Sequence, residues 1–182
     1  MTTITIPSDY AYIGATCAII GIVQLALGSG CMAYRKAFKS PEFLNKKKVI
    51  ELQEEHKKSF GTPINDMGYP DMGNGRYSAE LSYSQWVEFN NAQRAHYNMV
   101  ESSGPVLAAM IVGGLFHPIA CSILGNIYAI GMLIFSYGYK SKKGADGRMI
   151  GAALRTLSTL TLTGICFYNA AIASGFNFPK FN

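Results

Sequence analysis

Charged residues make up only 15% of this 182-residue chain, and three long stretches hold none. Residues 10–34, 102–139 and 156–179 contain no Asp, Glu, Lys or Arg. With 49% hydrophobic residues and a mean hydropathy of +0.13, the chain is too apolar for an ordinary soluble domain and too hydrophobic to be disordered. Cysteine pairs are missing as well. Cys17, Cys31, Cys121 and Cys166 stand apart inside apolar runs, with no Cys/His ligand spacing, which excludes a disulfide scaffold and argues against a metal site. They read as buried small hydrophobes. His56, His96 and His117 are equally isolated. There is no phosphate-binding glycine loop, nucleophile elbow, Asn-x-Ser/Thr acceptor or internal repeat, and nothing resembles a nucleic-acid module.

What is there is enough apolar helix for four membrane crossings. One crossing takes about 20 residues, so uncharged runs of about 25 and 24 give one each and a run of about 38 gives two. The middle run breaks at Phe116-His117-Pro118, because proline ends the preceding helix and a histidine is costly in hydrocarbon. Spans are expected at 12–34, 91–116, 119–139 and 149–174. Period-2 alternation is absent, so the spans are helices rather than barrel strands. The first run reads as a true span and not a cleaved leader, since no Lys or Arg precedes it. Arg35, Lys36, Lys39 and 46–48 follow span 1, and Lys140, Lys142, Lys143 and Arg148 lie between spans 3 and 4, whereas the other side offers no cation before Lys180. The positive-inside rule makes both basic loops cytoplasmic and places both termini opposite. The net charge of +5 then reflects topology and lipid headgroups, with no nucleic acid as partner.

The one large polar piece is the insertion 41–84. Its first part, to residue 60, carries Glu54 and Lys58 four apart, as in a solvated helix continuing span 1. Residues 61–83 are rich in Gly, Pro, Asn and Asp and read as an ordered loop over the membrane surface. Tyr69, Tyr77, Tyr83 and Trp86 either anchor it at the interface or pack on a core of its own.

The start of span 2 carries the chemistry. Arg94, Asn98 and Glu101 recur at i, i+4 and i+7, on one helix face. Ionisable groups there point to a polar site, the alternative being a headgroup-level ladder with a snorkelling Arg94. Arg148 opens span 4 on the same membrane side, where Arg35 and Lys36 close span 1. Such a set suits a small zwitterionic polyanion: guanidinium forks take carboxylates, the Glu an ammonium, the Asn a peptide group. Gly147 and Gly151 have small-xxx-small spacing, a weak packing signal. Arg155 reads as interhelical or snorkelling, Tyr137 and Tyr139 are also explicable as belt aromatics, and Met99, Met110, Met132 and Met149 as packing.

These residues resemble a known family. Asn91-Ala-Gln-Arg94-Ala-His-Tyr-Asn98-Met-Val-Glu101 is similar to the Arg-Ala-x-x-Asn-x-x-Glu signature of the membrane-associated proteins in eicosanoid and glutathione metabolism, the MAPEG family. Val112-Gly-Gly-Leu-Phe-His-Pro118, Tyr137-Gly-Tyr139 and Arg35-Lys36-Ala37-Phe38 add to the likeness, which is greatest for the microsomal glutathione S-transferase 3 branch. The resemblance implies an all-α integral membrane protomer of four transmembrane helices, one domain over 1–182, assembled as a homotrimer. It implies glutathione as co-substrate, no metal, and lipids or lipophilic substrates as partners. Arg94, Asn98, Glu101 and Tyr139 would bind glutathione, with Arg35 reaching in from the adjacent protomer. Arg148 would activate the thiol, and Lys36 stands where some relatives have a second arginine acting on the lipid. Phe135 occupies a ligand position that is usually tyrosine, so its hydroxyl is missing unless Tyr137 replaces it.

The resemblance thus implies a membrane glutathione transferase or peroxidase acting on lipophilic electrophiles or lipid hydroperoxides, in the endoplasmic reticulum or the mitochondrial outer membrane. The competing expectation is a non-catalytic scaffold, lipid-presenting protein or accessory subunit of a larger membrane complex. A small transporter fits less well, because no span is broken near its middle.

Overall fold

The structure, a computed structural model, describes residues 6–175. Both chain ends, including Pro179 and Lys180, lie outside the described residues. Every regular element described is helical. α1 (Ala11–Gly30) follows a single 3-10 turn at Ser8–Tyr10 and runs through α2 (Met32–Arg35) into a second 3-10 turn at Lys36–Lys39. Pro41 then holds Ser40 extended, and the Ser40 hydroxyl accepts the Phe43 amide to start the one-turn α3 (Pro41–Leu44). A further break at Lys46 precedes α4 (Lys47–Phe60), which Gly61 ends in the left-handed conformation at φ +77°. The charged segment therefore does not continue span 1 as one helix. Proline at 41 and the extended backbone at Lys46 turn the chain twice.

α5 (Tyr83–Gly114) begins earlier than the apolar pattern suggests, because Ser82 and Gln85 form a reciprocal capping box. At 32 residues it is about 48 Å long, more than the hydrocarbon thickness, so one end must project. The break at Leu115 to His117 falls as expected, and α6 (Pro118–Lys140) starts with proline at its first position. A 3-10 turn at Gly144–Arg148 leads into α7 (Met149–Ala173). Three rods are long and apolar enough to cross a membrane: Ser8–Lys39, Pro118–Lys140 and Gly144–Ala173. α5, with its charged first half, is not among them.

α6 is the central helix, packed against α1, α5 and α7. The core consists of one stripe from each helix, including Ile13, Ile20 and Leu27 of α1, Met99 and Met110 of α5, Tyr128, Met132 and Phe135 of α6, and Leu162 of α7. Met149 is the exception among the methionines read as packing, being exposed at the start of α7. Ile22, Leu25, Ile130, Leu157 and Leu160 point outward, as helices in lipid or against other helices require.

Glycines set the α6–α7 distance. A methyl on Gly151 would strike the Phe135 backbone nitrogen, and one on Gly138 the Gly147 carbonyl. The backbones meet directly, so the arginines flanking Gly151 are held against α6.

A second core lies at the end of the bundle, built from the insertion. Phe38, Phe43, Val49, Tyr77, Leu81 and Phe89 are buried together. Phe43 and Phe89 meet Phe38 edge-on at 5.4 and 5.5 Å, while Tyr77 stacks on it at 5.5 Å. Tyr77 thus packs inward on the loop's own core, whereas Tyr69, Tyr83 and Trp86 keep exposed surface.

Candidate functional site

The α5 stripe forms, but its members differ in exposure. Asn98 is half-buried, while Arg94 and Glu101 face outward. The Asn98 amide donates to the Arg94 carbonyl one turn earlier (2.8 Å), which leaves its Oδ1 turned toward α7. Arg155 reaches that oxygen at 3.3 Å through Nη2 and the Ser102 hydroxyl at 3.5 Å through Nη1. Ser102 in turn shares a 2.7 Å hydrogen bond with the fully buried Tyr128 hydroxyl of α6. A polar network thus links α5, α6 and α7.

Aromatic rings complete it. Phe135 is buried, with Tyr139 beside it at 5.6 Å. Arg155 lies 4.7 Å from the centroid of the Phe135 ring and Arg148 5.9 Å from the same centroid. Arg148, half-buried, also sits 5.2 Å from the Tyr139 ring. Stacking on aromatic faces suits a planar guanidinium and keeps its N–H edge free to bind an anion. Tyr137 is 80% exposed on the opposite face, so its hydroxyl does not stand in for the one Phe135 lacks. Two positions along a helix is a turn of about 200°, which fixes that outcome.

An open groove of about 430 Å³ lies at the α5 end of this network, lined by Met72, Trp86, Gln93, Arg94, Tyr97 and Tyr139 among others. Arg94 and Tyr139 are therefore brought together, as are Asn98 and Arg155, and Arg148 with Phe135 and Tyr139. Arg35 and Lys36 are not.

Arg35 is 1% exposed and is folded into its own protomer's loop. It donates to the carbonyls of Met67 and Asp71 (both 2.9 Å) and to Met72 Sδ (3.0 Å). Its guanidinium lies over the rings of Tyr69 (3.7 Å) and Phe89 (4.9 Å). Within its own protomer the loop thus folds back over Arg35 and engages both terminal nitrogens of the guanidinium. Lys36, next along the chain, is exposed.

Asp71 organises the same loop. Its carboxylate accepts the amides of Gly73 (2.8 Å), Gly75 (3.1 Å) and Ser78 (2.7 Å). Burial alone would raise its pKa, but these hydrogen bonds and the one to the Ser78 side chain outweigh burial and hold it below the ordinary carboxylate value.

Sequence reasoning passed over Tyr128 and gave Ser102 no part in the site. The signal for Arg155 was present, since it lies seven residues, two turns, after Arg148 on the same face of an apolar helix. Among the described residues no group of three or more His, Cys, Asp and Glu side chains is placed to hold a metal.

A helical bundle with three rods long and apolar enough to cross a membrane, and a polar groove lined by Arg94 and Tyr139 beside its central helix, marks an integral membrane protein. Its family is shown by sequence: the MAPEG family model matches residues 13–168, and the chain belongs to the MAPEG family. That family uses glutathione and includes glutathione transferases and related enzymes.

Proposed function

We propose that this protein is a membrane glutathione transferase or peroxidase of the microsomal glutathione S-transferase 3 type, acting on lipophilic electrophiles or lipid hydroperoxides that enter from the bilayer. The observation that carries this reading is Arg148, half-buried and stacked on Tyr139 and Phe135 beside the Arg94 groove. The donor set suits glutathione: Arg94 and Arg148 for carboxylates or a thiolate, Asn98 for a peptide group, Glu101 for the ammonium. Bound glutathione supplies the thiol. Arg148, permanently charged, lowers the cost of the thiolate and so raises the population of the nucleophile at neutral pH. Tyr139 and Phe135 hold that guanidinium in place, and Arg94 with Asn98 orients the ligand so that the reacting sulfur is confined.

Arg94 and Glu101 face outward, as expected of a site completed by a neighbouring copy, and we assign the protein as a homotrimer with α5 as the fourth crossing. In that assembly the α5 stripe looks into the cleft between protomers and away from lipid. By the positive-inside rule we assign the groove to the cytoplasmic side, and the protein to the endoplasmic reticulum or mitochondrial outer membrane.

Glutathione binding to purified protein, with the thiolate's ultraviolet absorbance as readout, tests the assignment. Wild type should bind and show the signal, and Arg148→Ala should lose the signal and about 10²-fold or more in turnover. No binding at millimolar glutathione would overturn the enzyme reading. It would favour the second one, a non-catalytic scaffold or accessory subunit, which the missing hydroxyl at Phe135 and the sequestered Arg35 support.

A further inference from the structure

A second concavity, of about 430 Å³, opens at the basic end of the bundle, between the end of α2, the start of α5 and the loop joining α6 to α7. Tyr34 and Tyr83 flank it, Glu88 is its one carboxylate, and Lys140, Lys142 and Lys143 supply three cations. Gly144, left-handed at φ +55°, folds that loop against α5, so that a Cβ there would lie 3.8 Å from the Asn91 amide. Lys39, Lys47 and Lys48 each meet a carboxylate. Among the described residues none of the ion pairs includes Lys140, Lys142 or Lys143. Cations gathered around a concavity concentrate positive potential inside it, as the same lysines on a convex surface would not. Arg94 and Tyr139 line the other groove, and the two share only Val87 and Asn91.

The height of this pocket in the membrane follows from α6. That helix carries no charge from Pro118 to Tyr139, and Lys140 is its first, so the lysines stand where hydrocarbon gives way to headgroups. Below them Ile130, Leu133, Ile134 and Tyr137 are exposed at three- and four-residue steps, which puts Lys140 next on the same face. An apolar track rising to a cationic pocket matches an amphiphile with its chains along the track and its anionic group at the top. We infer that the pocket binds a phosphate group, carried by the headgroup of an anionic phospholipid or by a soluble phosphate ester. Compact ammonium groups on flexible stems act as point charges and can converge on one phosphate from different sides. The track favours the lipid as its source. The inference is independent of the transferase reading, because none of the residues assigned to glutathione lines this pocket.

Trp86, the only tryptophan of the chain, stacks on Tyr83 at 6.2 Å, so its fluorescence reports on the pocket. The full chain in detergent would be titrated with dioleoyl phosphatidic acid, with dioleoyl phosphatidylcholine as the lipid of equal chains and no net charge, and with glycerol 3-phosphate. Wild type should prefer phosphatidic acid to phosphatidylcholine by about tenfold or more. Lys140→Gln combined with Lys143→Gln should remove that preference, whereas Lys57→Gln combined with Lys58→Gln, an equal loss of charge on α4, should keep it. Glu88→Gln removes the one carboxylate and should tighten phosphatidic acid by about fivefold, a gain that misfolding does not produce. Glycerol 3-phosphate binding with the same lysine dependence would make a soluble ester the source, and phosphatidic acid binding alone would make it the lipid. Absence of any preference in wild type, or an equal loss in the α4 control, would overturn the site. So would loss of glutathione binding together with phosphate binding in the Lys140, Lys143 variant, since the two grooves would then be one. If wild type prefers phosphatidic acid but never binds glutathione, the phosphate site stands and the transferase reading falls.

Discussion

Replacing Arg35 by Met tests whether this arginine is a structural staple. The substitution keeps much of the side-chain volume and removes every donor. Two hydrogen bonds from a charged group to the Met67 and Asp71 carbonyls are lost, each worth about 1.5–3 kcal/mol, and both carbonyls lose a donor in a part-buried site. Stacking on Tyr69 and Phe89 adds about 1 kcal/mol per ring. These terms are not additive, so the truncation cost falls below their total of about 5–8 kcal/mol, and about 4 kcal/mol is expected. Because Arg35 ties the end of the α1 rod to the insertion, the loss falls on the loop and not on the spans. Amide hydrogen exchange over residues 61–82 should accelerate by about 10³-fold, with α6 unchanged. Arg35→Lys, which keeps the charge but only one compact donor group, should fall between. Loop exchange at the wild-type rate in Arg35→Met would refute the reasoning. If glutathione affinity collapsed at the same time, Arg35 would be a ligand residue after all.

Gly151→Ala should cost about 1–3 kcal/mol, because the added methyl meets backbone at Phe135 and must push α7 off α6. The same shift moves Arg148 and Arg155, so on the proposed function turnover should fall more than the melting temperature suggests, which a comparison with Gly164→Ala, at an open position, would reveal. Asp71 makes the loop acid-sensitive. Its folded-state pKa is lowered, so its contribution is present above the unfolded value of about 4 and drains away as pH falls through the lowered one. In Asp71→Asn, loop exchange measured across that range should lose this dependence and be fast throughout.

Much of the fold was legible because membrane helices announce themselves by length and charge depletion. The apolar runs 119–139 and 149–174 lie on the helices Pro118–Lys140 and Met149–Ala173, and the break at His117-Pro118 follows from proline alone. The Arg94, Asn98, Glu101 stripe was equally readable, since 3.6-residue periodicity fixes which side chains share a face. Ser82 and Gln85 were as plain in the sequence as any cap, yet the apolar run drew attention eight residues too late.

What the sequence determined by itself is the long apolar helices, the polar stripe of α5 and the family they define. Tertiary structure alone decided which stripes meet. Gly138, Gly147 and Gly151 let the α6 and α7 backbones touch, and the packing of both on α5 brings Arg155 to Asn98; no pattern within one helix reports the distance to another. Arg35 is buried because a loop more than thirty residues away folds back over it, placing the carbonyls of Met67 and Asp71 where its donors point. Periodicity is local and reports a direction. Contact is non-local and depends on close approach, so Arg35, expected as a ligand residue, is a staple within its own protomer, and Arg155, read as interhelical, meets only neutral groups of α5 and α6.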